Sequence, residues 1–355
     1  MKIFLLKLID RLVGSFLITC LSSVAVQTFS RPSHFLLIRP GGIGDAVLLL
    51  PMLQQLSAIY PDANIEILAE KRNAEVFRWS PVVTAVWCYD KPKEFLNLFT
   101  RKFDLIIDTE QWYRLSAVVA RLLAPSRLIG FVTNERSRLL TDPCPYTFDK
   151  YEAIVFGELL APIAGKSFSI LTETSRFMNL PILDFRINQP YVVIFPGASI
   201  AAKQWPAERF TEVASYCERC GFDVVVLGGK GDEDVGQSVS CALSRCHNFV
   251  GKTSLTESAS IVSGAQLMIS SDSGLLHVAQ LQGVSTVALF GPSDPEKWSR
   301  KGDRHSIVSA GIDCAPCSRF GTIPKCPHGF RCMQNITVEM VVEAVKELRF
   351  CESVS

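Results

Sequence analysis

From residue 35 the chain alternates short apolar runs with amphipathic stretches. Phe35-Leu36-Leu37-Ile38 reads as a buried strand, and 45–59 as a helix kinked at Pro51. Asn64–Ala69, Phe103–Asp108 and Arg127–Phe131 read as further strands, with a helix at 112–124. The rhythm restarts at Tyr191-Val192-Val193-Ile194-Phe195. A helix follows over 206–220, with Phe210, Val213, Ala214 and Cys217 on one face, Pro206 at its first position and Gly221 just past its end. Strands at 223–227, 266–270 and 285–290 alternate with helices at 231–243 and 273–282, and a last helix fits 337–349. Strands separated by helices predict parallel sheets covered on both faces. Pro181 to Pro190 reads as a linker. The expected organisation is therefore α/β: two Rossmann-like doubly wound domains, 35–180 and 191–355, facing each other across a cleft at their strands' carboxyl ends.

The first thirty-four residues differ. Lys7, Asp10, Arg11 and Gly14 share a helical face, flanked by Ile3, Leu6, Leu8, Leu12 and Val13. That suits a helix in a membrane interface. Residues 12–30 carry no charge, close to the ~20 residues a span needs, but seven of them are Ser, Thr or Gln. The reading taken is a membrane-associating segment over 1–34. A spanning helix, a cleaved signal peptide and a buried helix are the competing readings.

At 355 residues, two domains are expected. Lys plus Arg (36) balances Asp plus Glu (35), so no basic surplus marks a nucleic-acid binder. Twelve cysteines are spread unevenly, with four in Cys314-x2-Cys317-x8-Cys326-x5-Cys332. A disulfide scaffold is usually a short secreted chain. This pattern points instead to a reducing compartment with one special site. Four thiolates at that spacing suit a structural zinc or iron, with His328 as a substitute ligand. Reduced thiols and disulfides are the alternatives.

Four loops carry candidate chemistry, each after a strand. In the first, Gly41, Gly42 and Gly44 make a tight turn and Asp45 opens the helix. The spacing matches only half of a dinucleotide fingerprint, because Val47 stands at the third glycine position. Asp45 is either a helix cap or an exposed general base, with the helix end and Arg39 favouring the carboxylate. In the second, Ser199 and Lys203 offer a hydroxyl and a cation to a diphosphate. In the third, Gly228 and Gly229 precede the acids Asp232, Glu233 and Asp234, suited to ribose hydroxyls. In the fourth, Asp272, Ser273 and Gly274 sit at a strand-to-helix junction with His277 one turn on. Taken singly, each has an ordinary structural reading: a solvated lysine, an acidic first turn, a core histidine.

Together, Gly41–Asp45 with Pro51, the Ser199–Pro206 loop, Asp272-Ser273-Gly274 with His277, and the run ending Phe290-Gly291-Pro292 resemble glycosyltransferase family 9, the lipopolysaccharide heptosyltransferases and relatives. The similarity spans about 35–349. It implies a GT-B fold and inverting transfer from a nucleotide-diphosphate sugar, best guess ADP-heptose, to a lipid-linked glycan at the inner-membrane surface, with no metal required for catalysis. It implies that Asp45 is the base, that Lys203 and Ser199 contact the phosphates, that Glu233 holds ribose (with Asp232 and Asp234 as alternatives), and that Asp272, Ser273, Gly274 and His277 form the donor loop. Ala198 departs from it, standing where some members have a second hydroxyl. Some related enzymes hold a cysteine-bound iron. Alternatives are transfer of another nucleotide sugar, a noncatalytic sugar-nucleotide or lipid-binding module, and an NAD-dependent oxidoreductase.

Overall fold

The computed structural model describes residues 7–21, 32–164, 177–182, 187, 190–319 and 321–348. It divides into two compact units, Met1–Asn179 and Leu180–Ser355. Most of the expected 181–190 linker, and parts of the 1–34 segment, lie outside the described residues.

The first unit holds six strands: β1 (His34–Arg39), β2 (Asn64–Ala69), β3 (Val83–Cys88), β4 (Leu105–Asp108), β5 (Arg127–Val132) and β6 (Asp142–Pro145). Their order is β3-β2-β1-β4-β5-β6, and every pairing is parallel. The second unit repeats the plan with β7 (Tyr191–Phe195), β8 (Asp223–Val226), β9 (Cys246–Asn248), β10 (Leu267–Ser271), β11 (Ser285–Phe290) and β12 (His305–Ser309). Here the order is β12-β11-β10-β7-β8-β9. Each sheet starts in its middle, winds one way and then reverses, so each has a switch point: β1/β4 in one, β7/β10 in the other. Loops leaving neighbouring strands part there, opening a crevice at the carboxyl ends. The α/β fold expected of GT-B enzymes is the one observed.

The relevant helices of the first unit are α1 (Ser15–Cys20), continuing a wider π turn over Asp10–Gly14, then α2 (Ile43–Ile59), α3 (Pro92–Leu98), α4 (Arg114–Leu122) and α5 (Glu152–Glu158). Those of the second are α6 (Ala207–Arg219), α7 (Glu233–Ser240), α8 (Gly274–Leu281) and α9 (Val338–Glu347). Among the described residues no helix is long and apolar enough to cross a membrane.

Leu36 and Ile38 of β1, Ile106 of β4 and Leu128 of β5 pack with Ala117 and Val118 of α4 in one core cluster. Val192, Ile194, Val224, Val226, Leu267, Ile269, Val287 and Leu289 pack with Phe210 and Val213 of α6 and Val341 of α9 in the other. Central strands buried on both faces become continuous apolar runs, which is why they are readable from sequence. The helix expected at 45–59 begins at Ile43 and continues through Pro51. Pro206 caps α6 rather than opening it. Gly221 has φ +99, the left-handed stop expected after that helix.

Candidate functional site

At the first unit's switch point, Gly41 takes φ +113, and a Cβ there would stand 3.2 Å from Arg39 Nη2. The turn therefore needs glycine both for its backbone and for the guanidinium beside it. Gly42 caps α2, leaving Asp45 in the first helical turn rather than at the cap. Asp45 Oδ1 lies 3.5 Å from Arg39 Nη2, and its side chain is 23% exposed while that of Arg39 is 3% exposed. Arg39 is held in turn by the β4–α4 loop: Nη1 donates to Thr109 O (2.9 Å) and Gln111 Oε1 (3.2 Å), and Nη2 faces Glu110 Oε2 at 3.8 Å. Gln111 Nε2 and the Tyr146 hydroxyl both donate to Glu152. Behind these, Arg136 and Asp108 form a fully buried ion pair. Burial pushes the Glu110 carboxyl up, against the pull of Arg39 and Arg136. Burial works against the charged Arg39, yet Asp45, Glu110 and Glu152 outweigh it and raise its pKa. Asp45 is thus the solvent-facing end of a buried, hydrogen-bonded charge network.

At the second switch point, Lys203 ends a 3-10 turn (Ala201–Lys203) after β7, and Asp272 follows β10. Lys203 Nζ is 2.5 Å from Asp272 Oδ2, and His277 Nε2 is 3.8 Å from Asp272 Oδ1. Burial pushes the Asp272 carboxyl up, but Lys203, His277 and a hydrogen bond from Ser293 more than offset it, and the net shift is downward. Ser273 caps α8, its Oγ accepting from Leu276 N–H, and Gly274 is the first helical residue. His277, on the first turn, is 3% exposed.

Asp232, Glu233 and Ser199 have different surroundings. Asp232 Oδ2 accepts from Gly229 N–H at 2.8 Å. A Cβ on Gly197 would meet that same oxygen at 2.3 Å, so the Asp232 carboxylate packs directly against the Gly197 backbone in the loop after β7. Glu233 is exposed on the first turn of α7, its carboxylate against Gly251. Ser199 is exposed in a bend after β7. Within this unit the structure brings together Lys203, Asp272, Ser273 and His277.

Ser293 and the Glu110-Gln111-Glu152-Tyr146 group were not among the expected residues. Their signal was positional. Thr109-Glu110-Gln111 follows an apolar strand just as Gly41–Asp45 does, and Ser293 extends Gly291-Pro292 after β11.

Around the cysteine cluster, Cys332 is buried, Cys314 exposed, and Cys317 and Cys326 half-buried. Burial, then the neighbouring thiols, raises the pKa of Cys317 and Cys332. Phe330 N–H donates to Cys326 Sγ at 3.4 Å. Among the described residues, no three metal-ligating groups are gathered closely enough to share an ion. The donor chemistry suits a metal, but the spacing of the groups in this structure does not.

Residues 95–327 match the family described as glycosyltransferase family 9 (heptosyltransferase). The chain belongs to glycosyltransferase family 9. It is 24% identical over 305 residues to the lipooligosaccharide heptosyltransferase 2 of Haemophilus influenzae, covering 78% of this chain and 88% of that one. Among solved structures it resembles the E. coli ADP-heptose LPS heptosyltransferase II (TM-score 0.70, 21% identity), covering 90% of this chain and all of that one. It also resembles the iron-containing dodecameric glycosyltransferase TibC of enterotoxigenic E. coli (TM-score 0.56, 16% identity), with 94% and 78% covered. This family-9 chain is a glycosyltransferase with the fold of its relatives.

Proposed function

We propose that this enzyme transfers heptose from ADP-heptose onto a lipopolysaccharide core or related lipid-linked glycan, with inversion, at the cytoplasmic face of the inner membrane. The observation that carries the reading is the Lys203–Asp272–His277 constellation at one switch point, matched by a partly exposed, Arg39-held Asp45 at the other. The sugar and acceptor class are supported by the chain's relatives, a lipooligosaccharide heptosyltransferase and an ADP-heptose LPS heptosyltransferase.

In the proposed mechanism, the Asp45 carboxylate takes the proton of an acceptor hydroxyl. The oxygen attacks the anomeric carbon from the face opposite the nucleotide, through an oxocarbenium-like transition state of the kind known for glycoside hydrolysis. The bond from that carbon to the diphosphate oxygen breaks, and ADP leaves. Lys203, Ser199 and the first N–H groups of α8 meet the charge growing on the diphosphate. Asp272, Ser273 and Gly274 form the donor loop, with His277 bracing Asp272. Glu233 or its neighbour Asp232 holds the ribose. Gly41, Gly42 and Gly44 let the acceptor approach the backbone beside Asp45. Protein groups meet the diphosphate charge, so the reading assigns no step to a metal.

The test is donor consumption with a panel of nucleotide sugars and a core acceptor. ADP-heptose should be consumed in preference to the others, and Asp45→Ala should lose about 10²–10⁴ in rate. Preference for a different nucleotide sugar would keep the transferase and replace the donor. Near-normal transfer by Asp45→Ala would remove the base. Adenosine diphosphate bound without turnover of any sugar would favour a noncatalytic module.

Cys314, Cys317, Cys326 and Cys332 are proposed as ligands of a structural zinc or iron. The donor chemistry, the close sequence spacing and the iron-containing relative support this, although in this structure no three of the described groups are gathered around one point. When bound, the ion would staple the loop between β12 and α9. Anaerobically purified protein should carry about one metal per chain, and Cys314→Ser should lose it. Metal-free protein of full stability would refute the assignment.

A further inference from the structure

The N-terminal helical segment, 7–20, packs with its polar side inward. Asp10 is 5% exposed, and its Oδ1 accepts from the N–H groups of Arg114 (2.8 Å) and Leu115 (2.9 Å) at the start of α4. Gly14 is buried too, and a Cβ there would stand 2.7 Å from Arg114 Cβ, so the helix lies tightly on α4. Ser15 donates to Glu135 Oε1 at 2.5 Å, and Arg114 grips the same carboxylate. Ile18 is buried in the core cluster of β1 and α4, and Leu17 and Leu21 pack half-buried against it.

The opposite side carries Leu8, Ile9, Leu12, Val13 and Phe16, at 41, 38, 62, 45 and 67% exposure. Leu8, Leu12 and Phe16 follow one another at four-residue steps, and Ile9 and Val13 sit beside them. A helix on a water-soluble surface turns such a stripe to the core. Here the inward face holds Asp10, Gly14 and Ile18, its polar anchors satisfied by specific hydrogen bonds, and the longer apolar stripe is left outside. A contiguous exposed apolar face of this kind marks an interaction surface.

Charge selects the occupant. The segment's one acid, Asp10, is consumed in capping α4, whereas Arg11 stays exposed and Arg138 is exposed on the neighbouring 3-10 turn, Glu135–Leu139. Trp112, 41% exposed, stands two residues before the helix start that Asp10 caps. An apolar stripe with exposed Arg11 on its own helix, and an exposed arginine and tryptophan on or beside the elements that helix packs against, is the chemistry of a helix lying in the headgroup–acyl boundary of an anionic bilayer.

We propose that Leu8, Leu12 and Phe16, flanked by Ile9, Val13 and Arg11, seat this unit in an anionic lipid surface, with the helix in the plane of the membrane. This deepens the reading of a lipid-linked acceptor. Its test needs no transfer, so failure of either leaves the other standing.

The full-length chain is floated with phosphatidylglycerol/phosphatidylethanolamine vesicles and with neutral phosphatidylcholine vesicles. Wild type should co-float with the anionic vesicles, less so at high salt. Leu12→Glu with Phe16→Glu should cut partitioning by ~100-fold or more, from the transfer cost of two side chains. Arg11→Glu should weaken binding to anionic vesicles and leave binding to neutral ones unchanged. Both variants change exposed groups, so their circular dichroism and melting should match wild type. The proposal is overturned if wild type does not float, or if the double variant floats equally well. It is also overturned if sedimentation without lipid shows a dimer that the double variant dissociates while vesicle binding persists, because the face then belongs to a second copy.

Discussion

Lys203 Nζ lies 2.5 Å from Asp272 Oδ2, and the two side chains are 21% and 10% exposed. The cation assigned to the diphosphate is thus already positioned by a carboxylate from the neighbouring strand's loop. A pair this enclosed costs more to break than to keep, since removing one partner strands the other. Lys203→Ala should therefore do two things. It should lower the melting temperature, and it should weaken ADP by about 10–100-fold while barely changing adenosine, given ~1.5–3 kcal/mol for a hydrogen bond to a charged group. Calorimetric titration with both ligands checks this. Equal losses for the two would show that Lys203 touches no phosphate.

Arg39 is the analogous support for Asp45. Its guanidinium reaches Thr109 O, Gln111 and Asp45 together, a geometry that a single ammonium cannot reproduce. Arg39→Lys keeps the charge and loses the fork. The expected outcome is a kcat lower by about tenfold, equivalent to ~1.4 kcal/mol, with the KM for donor little changed. Steady-state kinetics that moved only the donor KM would contradict a role confined to Asp45.

His305 makes one identifiable contribution to the pH dependence of stability. Burial, then Arg300 and Arg304, holds its pKa down to about 4, and Nδ1 sits 3.0 Å from Thr286 Oγ1. Folding thus favours the neutral ring. Its contribution is complete above the ordinary value of ~6.5 and is lost as pH falls from there toward 4. The loss is on the order of 2 kcal/mol once solvent screening is allowed for. Melting temperature should fall more steeply between pH 6.5 and 4 in wild type than in His305→Gln. Parallel curves would assign the acid sensitivity elsewhere.

The two sheets were legible because their central strands are largely apolar on both faces: β2, β7 and β11 run over the expected 64–69, 191–195 and 285–290. The edge strands were not. Asp142–Pro145 contains two prolines, which argue against a strand everywhere except at an edge. Cys246–Asn248 is three half-buried residues with no apolar run. Among the candidate site residues, Lys203, Asp272 and His277 are singled out by residue type and place after a strand, and the structure gathers these three side chains. Glu110, Gln111 and Glu152 did not, because a buried carboxylate and a solvated one look alike until partners across 41 or 72 positions are known. The N-terminal helix was read as amphipathic, but sequence periodicity cannot say which face turns inward. Asp10 decides that by hydrogen-bonding α4.

The acidic run 232–234 is where sequence spacing is least decisive, and glycine chemistry separates the candidates. Gly197 admits the Asp232 carboxylate so closely that a methyl group would overlap Oδ2 at 2.3 Å and Cγ at 2.4 Å. Asp232 cannot simply swing away, because Oδ2 also holds Gly229 N–H. Gly197→Ala should therefore displace Asp232, cost ~1 kcal/mol through the lost turn hydrogen bond, and loosen the loop after β8. If that loop holds the ribose, adenosine and ADP should weaken together, the reverse of the Lys203→Ala pattern. Gly231→Ala is the control, since a Cβ there meets nothing within 4 Å. Adenosine titrations that left Gly197→Ala indistinguishable from Gly231→Ala would separate Asp232 from the nucleoside and leave Glu233, against Gly251, as the acid to test next.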